Sequence, residues 1–172
     1  MFAVLSDTHS HTGHELAGAA AEAVARADAV VHAGDFTSVA ALDAFQSASA
    51  RLHAVHGNRD VAAVRDRLPD ARVCTLGGVR VALTHRRRAG DTGLELFGRE
   101  RGAALVVSGH THRPAVTETD DCVLLNPGSH ADPRGNPASH AELVARDGGL
   151  DGRIVKRDGT VLEEFRVEGR SN

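Results

Sequence analysis

Seven side chains able to bind a metal stand at the ends of short apolar runs in this chain: Asp7, His9, Asp35, Asn58, His85, His110 and His112. Carboxylate, amide and imidazole are donors for divalent first-row cations, and Cys74 and Cys122 are too few to offer a thiolate set. They are also too few for a disulfide framework, so both are expected as reduced, buried thiols. The spacings Asp7-x-His9 and His110-x-His112 put residues i and i+2 of an extended segment on one side, so each pair is expected to close on one centre. Seven ligands suffice for two cations sharing one carboxylate. Two dications set against Asp7, Asp35 and a hydroxide leave a net charge of about +1, which suits an anionic oxygen ligand such as a phosphate ester.

The segments that must position these groups alternate in type. Phe2 to Leu5 reads as a buried strand, Glu15 to Arg26 as a helix, Ala29 to His32 as a strand, Val39 to Ala48 as a helix and Leu52 to Val55 as a strand. This is a βαβ pattern, with reactive loops at the carboxyl ends of parallel strands. Val73 to Leu76 and Val79 to Leu83 flank Gly77-Gly78 as a hairpin, a helix is expected from Thr92 to Arg101, and Ala104 to Val107 reads as a buried strand. Val116 to Thr119 pairs with Cys122 to Leu125, and Ala141 to Ala145, Gly152 to Lys156 and Thr160 to Val167 alternate as an antiparallel meander. The expected fold is α/β, a four-layer αββα sandwich of two mixed β-sheets flanked by helices, with residues 1–172 as one domain.

Composition narrows the function. The 172 residues are 41% hydrophobic, enough for a core without disulfides or a structural metal, so a metal site would be functional. Eleven histidines contrast with five Phe and no Tyr or Trp, which leaves no stacking platform for bases. A net charge of −3 gives no basic surface for duplex DNA or anionic lipid, so no stable nucleic-acid complex is expected. No apolar run is long enough to span a membrane, and Met1 to Asp7 lacks the basic start of a signal peptide, so a cytoplasmic protein is expected. The late antiparallel strands leave an edge that could pair two copies as a homodimer.

Asp7-Thr8-His9, Gly34-Asp35, Gly57-Asn58-Arg59-Asp60, His85 and Gly109-His110-Thr111-His112, in that order, resemble the calcineurin-like metallophosphoesterase superfamily. Asn126-Pro127-Gly128-Ser129 with Pro133-Arg134 resembles its small archaeal and bacterial phosphodiesterase branch. The resemblance implies one metal on Asp7, His9 and His112, a second on Asn58, His85 and His110, and Asp35 bridging them. It implies two divalent ions per chain, with Mn²⁺ the leading choice and Ni²⁺, Fe²⁺, Zn²⁺ or Mg²⁺ as alternatives. The implied reaction is hydrolysis of a small phosphodiester by a metal-activated hydroxide in line with the leaving group, with Asn58, Arg59 and His85 in catalytic positions. A phosphomonoesterase (nucleotide or phosphoprotein phosphatase) and a non-catalytic scaffold, as in a subunit of the retromer coat, are the alternatives.

Two departures from the family pattern bear on chemistry. Arg59 stands where many members have a histidine thought to protonate the leaving alcohol; arginine stays charged, so it can bind a phosphoryl oxygen but cannot give up a proton. Arg86-Arg87-Arg88 follows His85, where small members often have glycine, and Arg86 is placed with Arg59 as a substrate contact. His32 is expected as a packing residue, and His56 and His130 lie in loops beside the site. Gly34, Gly57 and Gly109 are expected to let the backbone turn ahead of a ligand. Asp60 either orients a ligand or caps a helix starting at Val61.

Overall fold

Strands buried on both faces need apolar residues at every position, and this explains the short unbroken runs. In β1 (Phe2–Leu5), Val4 faces the space between two sheets while Ala3 and Leu5 face helices; in β2 (Ala29–His32), Val31 and Val30 divide in the same way. The computed structural model describes residues 1–169, so the end of the expected domain, 170–172, lies outside the described residues. The remaining strands are β3 (Leu52–Ala54), β4 (Ala71–Leu76), β5 (Val79–Thr84), β6 (Leu105–Val107), β7 (Ala115–Glu118), β8 (Val123–Asn126), β9 (Ser139–Arg146), β10 (Gly149–Lys156) and β11 (Val161–Glu168). The helices are α1 (Ala19–Arg26), α2 (Val39–Ala48), α3 (Ala62–Arg65) and α4 (Gly90–Glu100).

Two mixed sheets result, with strand orders β11-β10-β9-β1-β2-β3 and β4-β5-β6-β8-β7. Their facing sides share a core that includes Val4, Val31, Leu83, Leu105, Val107, Leu143 and Leu150. Phe36, Leu42 and Phe45 pack α1 and α2 on the outside of the first sheet, and Leu94 and Phe97 of α4 pack on the outside of the second. The architecture is the four-layer αββα sandwich. No helix among the described residues is long and apolar enough to cross a membrane.

The meander does not make a sheet by itself, because β9 lies antiparallel to β1, with Ala3 opposite Glu142. The long hairpin β9–β10 turns through Asp147 (φ 47°) and Gly148 (φ 77°), a two-residue loop with both positions left-handed. α1 starts at Ala19, not Glu15, because the Glu15 carboxylate accepts hydrogen bonds from the backbone N–H groups of Thr12 and His11 at 2.9 and 3.2 Å and holds that segment as a turn. β11, the edge strand of the first sheet, carries Glu163, Glu164, Arg166 and Glu168, the kind of charge that keeps sheet edges from pairing.

Parallel pairing matters most for function. β1, β2 and β3 run parallel in one sheet, and β5 and β6 run parallel in the other. All five carboxyl ends open onto one side of the sandwich.

Candidate metal centre

Backbone hydrogen bonds tie four of the loops leaving these strands in two pairs. Asp7 N–H donates to the Gly34 carbonyl at 2.9 Å, His9 N–H to the Asp35 carbonyl at 3.0 Å and Gly109 N–H to the His85 carbonyl at 3.0 Å. Asp7, His9, Asp35, His110 and His112 all have left-handed backbones, with φ of 52°, 46°, 62°, 72° and 59°. That conformation costs a non-glycine residue about 1–2 kcal/mol, and its clustering here marks a site held against local preference. It also corrects the extended-segment expectation. The Asp7/His9 pair converges through left-handed turns, while His110 and His112 separate: the His112 ring stacks on His9 (5.0 Å between centroids) and the His110 ring stands edge-on to His85 (5.3 Å).

The glycines act in two ways. Gly34 has φ 96° and needs glycine's conformational freedom. Gly57 and Gly109 have no such requirement: a Cβ at Gly57 would overlap the Asp35 carboxylate, and one at Gly109 would overlap Ser6 Oγ. Space rather than turning fixes glycine at these two positions.

Three imidazoles share one design. His85 Nδ1–H donates to the Ala33 carbonyl at 2.8 Å, which leaves its Nε2 3.1 Å from Asn58 Oδ1 and 3.4 Å from Asp35 Oδ2. His112 Nδ1–H donates to the Asp132 carbonyl, and its Nε2 lies 3.3 Å from Asp7 Oδ1. His9 Nδ1 lies 3.5 Å from Thr37 Oγ1, and its Nε2 lies 3.8 Å from Asp35 Oδ2 and 4.0 Å from Asp7 Oδ1. Each Nδ1 is occupied by a protein oxygen and each Nε2 faces oxygen acceptors, the arrangement that orients histidines toward a cation.

The carboxylates are held just as firmly. Asp7, fully buried, accepts from Ser6 Oγ at 2.6 Å and from His110 N–H at 2.9 Å. Asp35, 1% exposed, accepts from Arg59 N–H at 2.7 Å. Burial pushes the Asp35 carboxyl up, but the hydrogen bond and charge of His85 outweigh this and hold it below its ordinary value. Burial likewise lowers His85, and the Asp35 carboxylate more than offsets it, so His85 titrates above its ordinary value. Burial lowers His9 and His110, with His85 and Arg86 adding to the effect at His110, so both rings are neutral near pH 7.

These residues suit a metal on observations independent of any relative. Asp7, His9 and His112 each offer a ligand atom, all within 4.8 Å of one another, and Asp7, Asp35 and His85 do the same. His9 Nε2 is buried with no hydrogen-bond partner. A lone pair facing lone pairs, next to two buried carboxylates, calls for a cation.

The other expected residues fall as follows. Asn58 and His110 border the two triads, Asn58 through His85 and His110 through its ring contact and its backbone N–H to Asp7. The Arg59 side chain is exposed and makes no hydrogen bond or ion pair among the described residues; its contact with the site is its backbone N–H. The arginine triplet divides. Arg87 stacks on Phe97 at 4.2 Å and lies 3.7 Å from Asp70, while Arg86 borders the clefts beside the site. Asp60 does not cap α3, whose N-cap is Val61; it accepts backbone N–H groups from Asp35 (3.1 Å), Thr37 (2.7 Å) and Gly57 (2.7 Å). Three contributors have no role in the sequence reading. Besides Ser6, Ser129 Oγ donates to the Asp7 carbonyl at 2.7 Å, and Asn126 Nδ2 donates to the Gly109 carbonyl at 3.0 Å. The Asn126-Pro127-Gly128-Ser129 motif is the signal that points to the last two.

His32 packs as expected, fully buried and stacked on Phe36 at 3.7 Å. Its Nδ1 accepts Gly34 N–H at 3.2 Å and its Nε2–H donates to Thr8 Oγ1 at 3.0 Å, which fixes a neutral ring. Burial pushes its pKa from 6.5 down to about 3. Because the unfolded chain takes up this proton first, stability is complete above pH 6.5 and falls as pH drops toward 3, by roughly 4–5 kcal/mol at 1.36 kcal/mol per unit. Denaturant melts of wild type and His32→Gln between pH 7 and 4 should show a steeper loss for wild type. Parallel curves would contradict this.

The family model for the calcineurin-like phosphoesterase superfamily domain matches residues 1–147. A protein of Methanothermobacter thermautotrophicus named "Probable metallophosphoesterase" is 34% identical over 169 residues, covering 96% of this chain and 97% of its own. A phosphodiesterase of Methanocaldococcus jannaschii is 24% identical over 136 residues, covering 73% of this chain and 81% of its own. The structure of Vacuolar Protein Sorting 29 from Cryptosporidium parvum superposes with a TM-score of 0.82 at 20% identity, over 97% of both chains, which is a likeness of fold.

Proposed function

Because this chain belongs to the calcineurin-like phosphoesterase superfamily, we propose that it is a cytoplasmic, divalent-metal-dependent phosphodiesterase acting on a small phosphate ester, with residues 1–172 working as one unit. The observation that carries this reading is the convergence of three imidazole Nε2 atoms, each with Nδ1 occupied, on two buried carboxylates. Asp7, His9 and His112 would hold one ion, Asn58, His85 and His110 a second, with Asp35 between them and Mn²⁺ the first ion to test. When bound, two such ions supply positive charge for the ester oxygens and a nucleophile drawn from water at neutral pH.

The chain's own residues do the rest. The Ala33 and Asp132 carbonyls fix His85 and His112 in one tautomer, and Ser6 and the His110 and Arg59 amides keep the carboxylates aimed inward. The Arg59 guanidinium, exposed beside its site-bound N–H, would offer fixed charge to a phosphoryl oxygen of the bound ester and no proton to the departing one. Hydrolysis joins a water oxygen to phosphorus and breaks the bond to the leaving oxygen, which departs with the electron pair and takes its proton from solvent. The rate of diester cleavage should therefore fall steeply with rising leaving-group pKa. Arg59→His should flatten that dependence. A flat dependence in wild type would remove this role for Arg59.

The test uses metal-stripped protein with Mn²⁺, Ni²⁺, Mg²⁺ or Zn²⁺ added back. Bis(p-nitrophenyl) phosphate should be hydrolysed in preference to p-nitrophenyl phosphate, and the activating ion should raise the melting temperature. Preference for the monoester would assign a phosphomonoesterase. Stabilisation by metal without hydrolysis of either ester would assign a binding scaffold, the reading suggested by the likeness to Vacuolar Protein Sorting 29.

A further inference from the structure

Among the described residues, three clefts beside the candidate centre share Arg86. One, about 710 Å³, is lined by Arg86, Arg87, Arg88, Gly93 and His110. His85 borders the other two, which differ in character. The smaller, about 300 Å³, also contains His56, Asn58, Arg65 and Asp70. Arg87 reaches it as well, but its guanidinium is held on Phe97 and beside Asp70, so these two charges answer each other. Arg65 spends one nitrogen on the Asn58 carbonyl at 2.9 Å, and Arg86 is exposed. The cleft therefore keeps two uncompensated guanidinium charges at the edge of a site already suited to an anion. The larger cleft, about 720 Å³, carries Arg113 and Asp91 of opposite sign, and its apolar residues are packed: Leu94 and Leu124 under α4, Val116 toward the core between the sheets.

A phosphodiester has two arms, and two unlike clefts leaving one centre sort them by charge. Building on the phosphodiesterase reading above, we propose that the substrate is an unsymmetrical diester, with one arm carrying its own anionic group toward Arg65 and Arg86 and the other, without that group, leaving along the larger cleft. Carboxylate and phosphate share the chemistry the two guanidinium groups recognise. Arg86, which borders both clefts next to His85, is then the residue that sets specificity.

Four p-nitrophenyl diesters test this, with the second arm 2-carboxyethyl, 2-phosphoethyl, phenyl or choline. The two anionic arms should exceed the choline arm in kcat/KM by about tenfold or more, a charge-assisted contact being worth roughly 1.5–3 kcal/mol. The ratio should shrink in Arg65→Gln and Arg86→Gln, vanish in the double variant and fall with added salt. Because each ratio is taken on one preparation, differences in folding or metal loading cancel. Equilibrium dialysis against metal-loaded protein, with methyl in place of p-nitrophenyl so that the poor leaving group slows turnover, should give the same order. A 2-phosphoethyl advantage that added salt removes would assign recognition of charge alone, and one that survives salt would assign a phosphate-bearing arm. Diester hydrolysis with no preference for anionic arms, or a preference that survives the double variant, would overturn the inference and leave the phosphodiesterase standing. Failure to cleave any diester would overturn the phosphodiesterase reading itself.

Discussion

Asp35→Asn should lower metal-dependent phosphodiester hydrolysis by about a thousandfold, equivalent to about 4 kcal/mol of barrier. Asp35 belongs with Asp7 and His85 to the second triad, with one oxygen 3.4 Å from His85 Nε2 and 3.8 Å from His9 Nε2 while the other is held by Arg59 N–H. Asparagine keeps the shape and can still accept from Arg59, but it removes a negative charge from a buried site and turns an NH₂ group toward the two imidazoles. His85 then loses the partner that raises its pKa. Metal-free Asp35→Asn should melt somewhat lower than metal-free wild type, because the folded state favours the ionised Asp35 carboxylate beside His85 and the variant removes that pairing. Activity and metal-free melting together separate a lost ligand from a damaged fold. If Asp35→Asn retains activity within tenfold of wild type at saturating metal, Asp35 does not hold the central position.

Among substitutions at neutral pH, the largest effect on stability is expected at Asp60. Its carboxylate, 2% exposed, accepts three backbone N–H groups from the loops after β2 and β3. Asp60→Ala leaves all three without an acceptor in a buried setting, which should cost about 3–5 kcal/mol and lower the melting temperature by about 10 °C or more. Asp60→Asn should fall between, since an amide has one accepting oxygen where the carboxylate uses two. The loops carrying Asp35 and Asn58 would part, so activity should fall well below the melting transition. An Asp60→Ala melt within 1 kcal/mol of wild type would show that water replaces the carboxylate.

Much of the centre is legible in the sequence because its chemistry is local: a short apolar run ending in Asp or His announces a strand and its cargo. The backbone state of that cargo is not legible. Residues two apart were expected to share a face as they do in strands, yet left-handed turns bring Asp7 and His9 together and send His110 and His112 apart. Gly57 and Gly109 look like turn glycines in sequence, but their reason lies in side chains of other loops, Asp35 and Ser6. Ser129 reaches the Asp7 carbonyl across 122 positions, and β9 joins β1 across the length of the chain. Pairings of this kind depend on the assembled core. Charge patterning was only partly informative: three consecutive arginines look alike, but Phe97 and Asp70 claim Arg87 and leave Arg86 beside the centre.

The left-handed backbones of Asp7, His9, Asp35, His110 and His112 make this centre easier to lose than to gain. At each of them glycine relaxes the main chain while discarding a donor, and asparagine relaxes it less while exchanging a carboxylate or imidazole for a weaker amide. Drift without selection for hydrolysis therefore runs downhill in folding free energy and leaves the sandwich intact. Recovery must climb the same slope at several positions at once. A lineage of this fold can become a durable non-enzyme by single substitutions, and each such step acts as a ratchet.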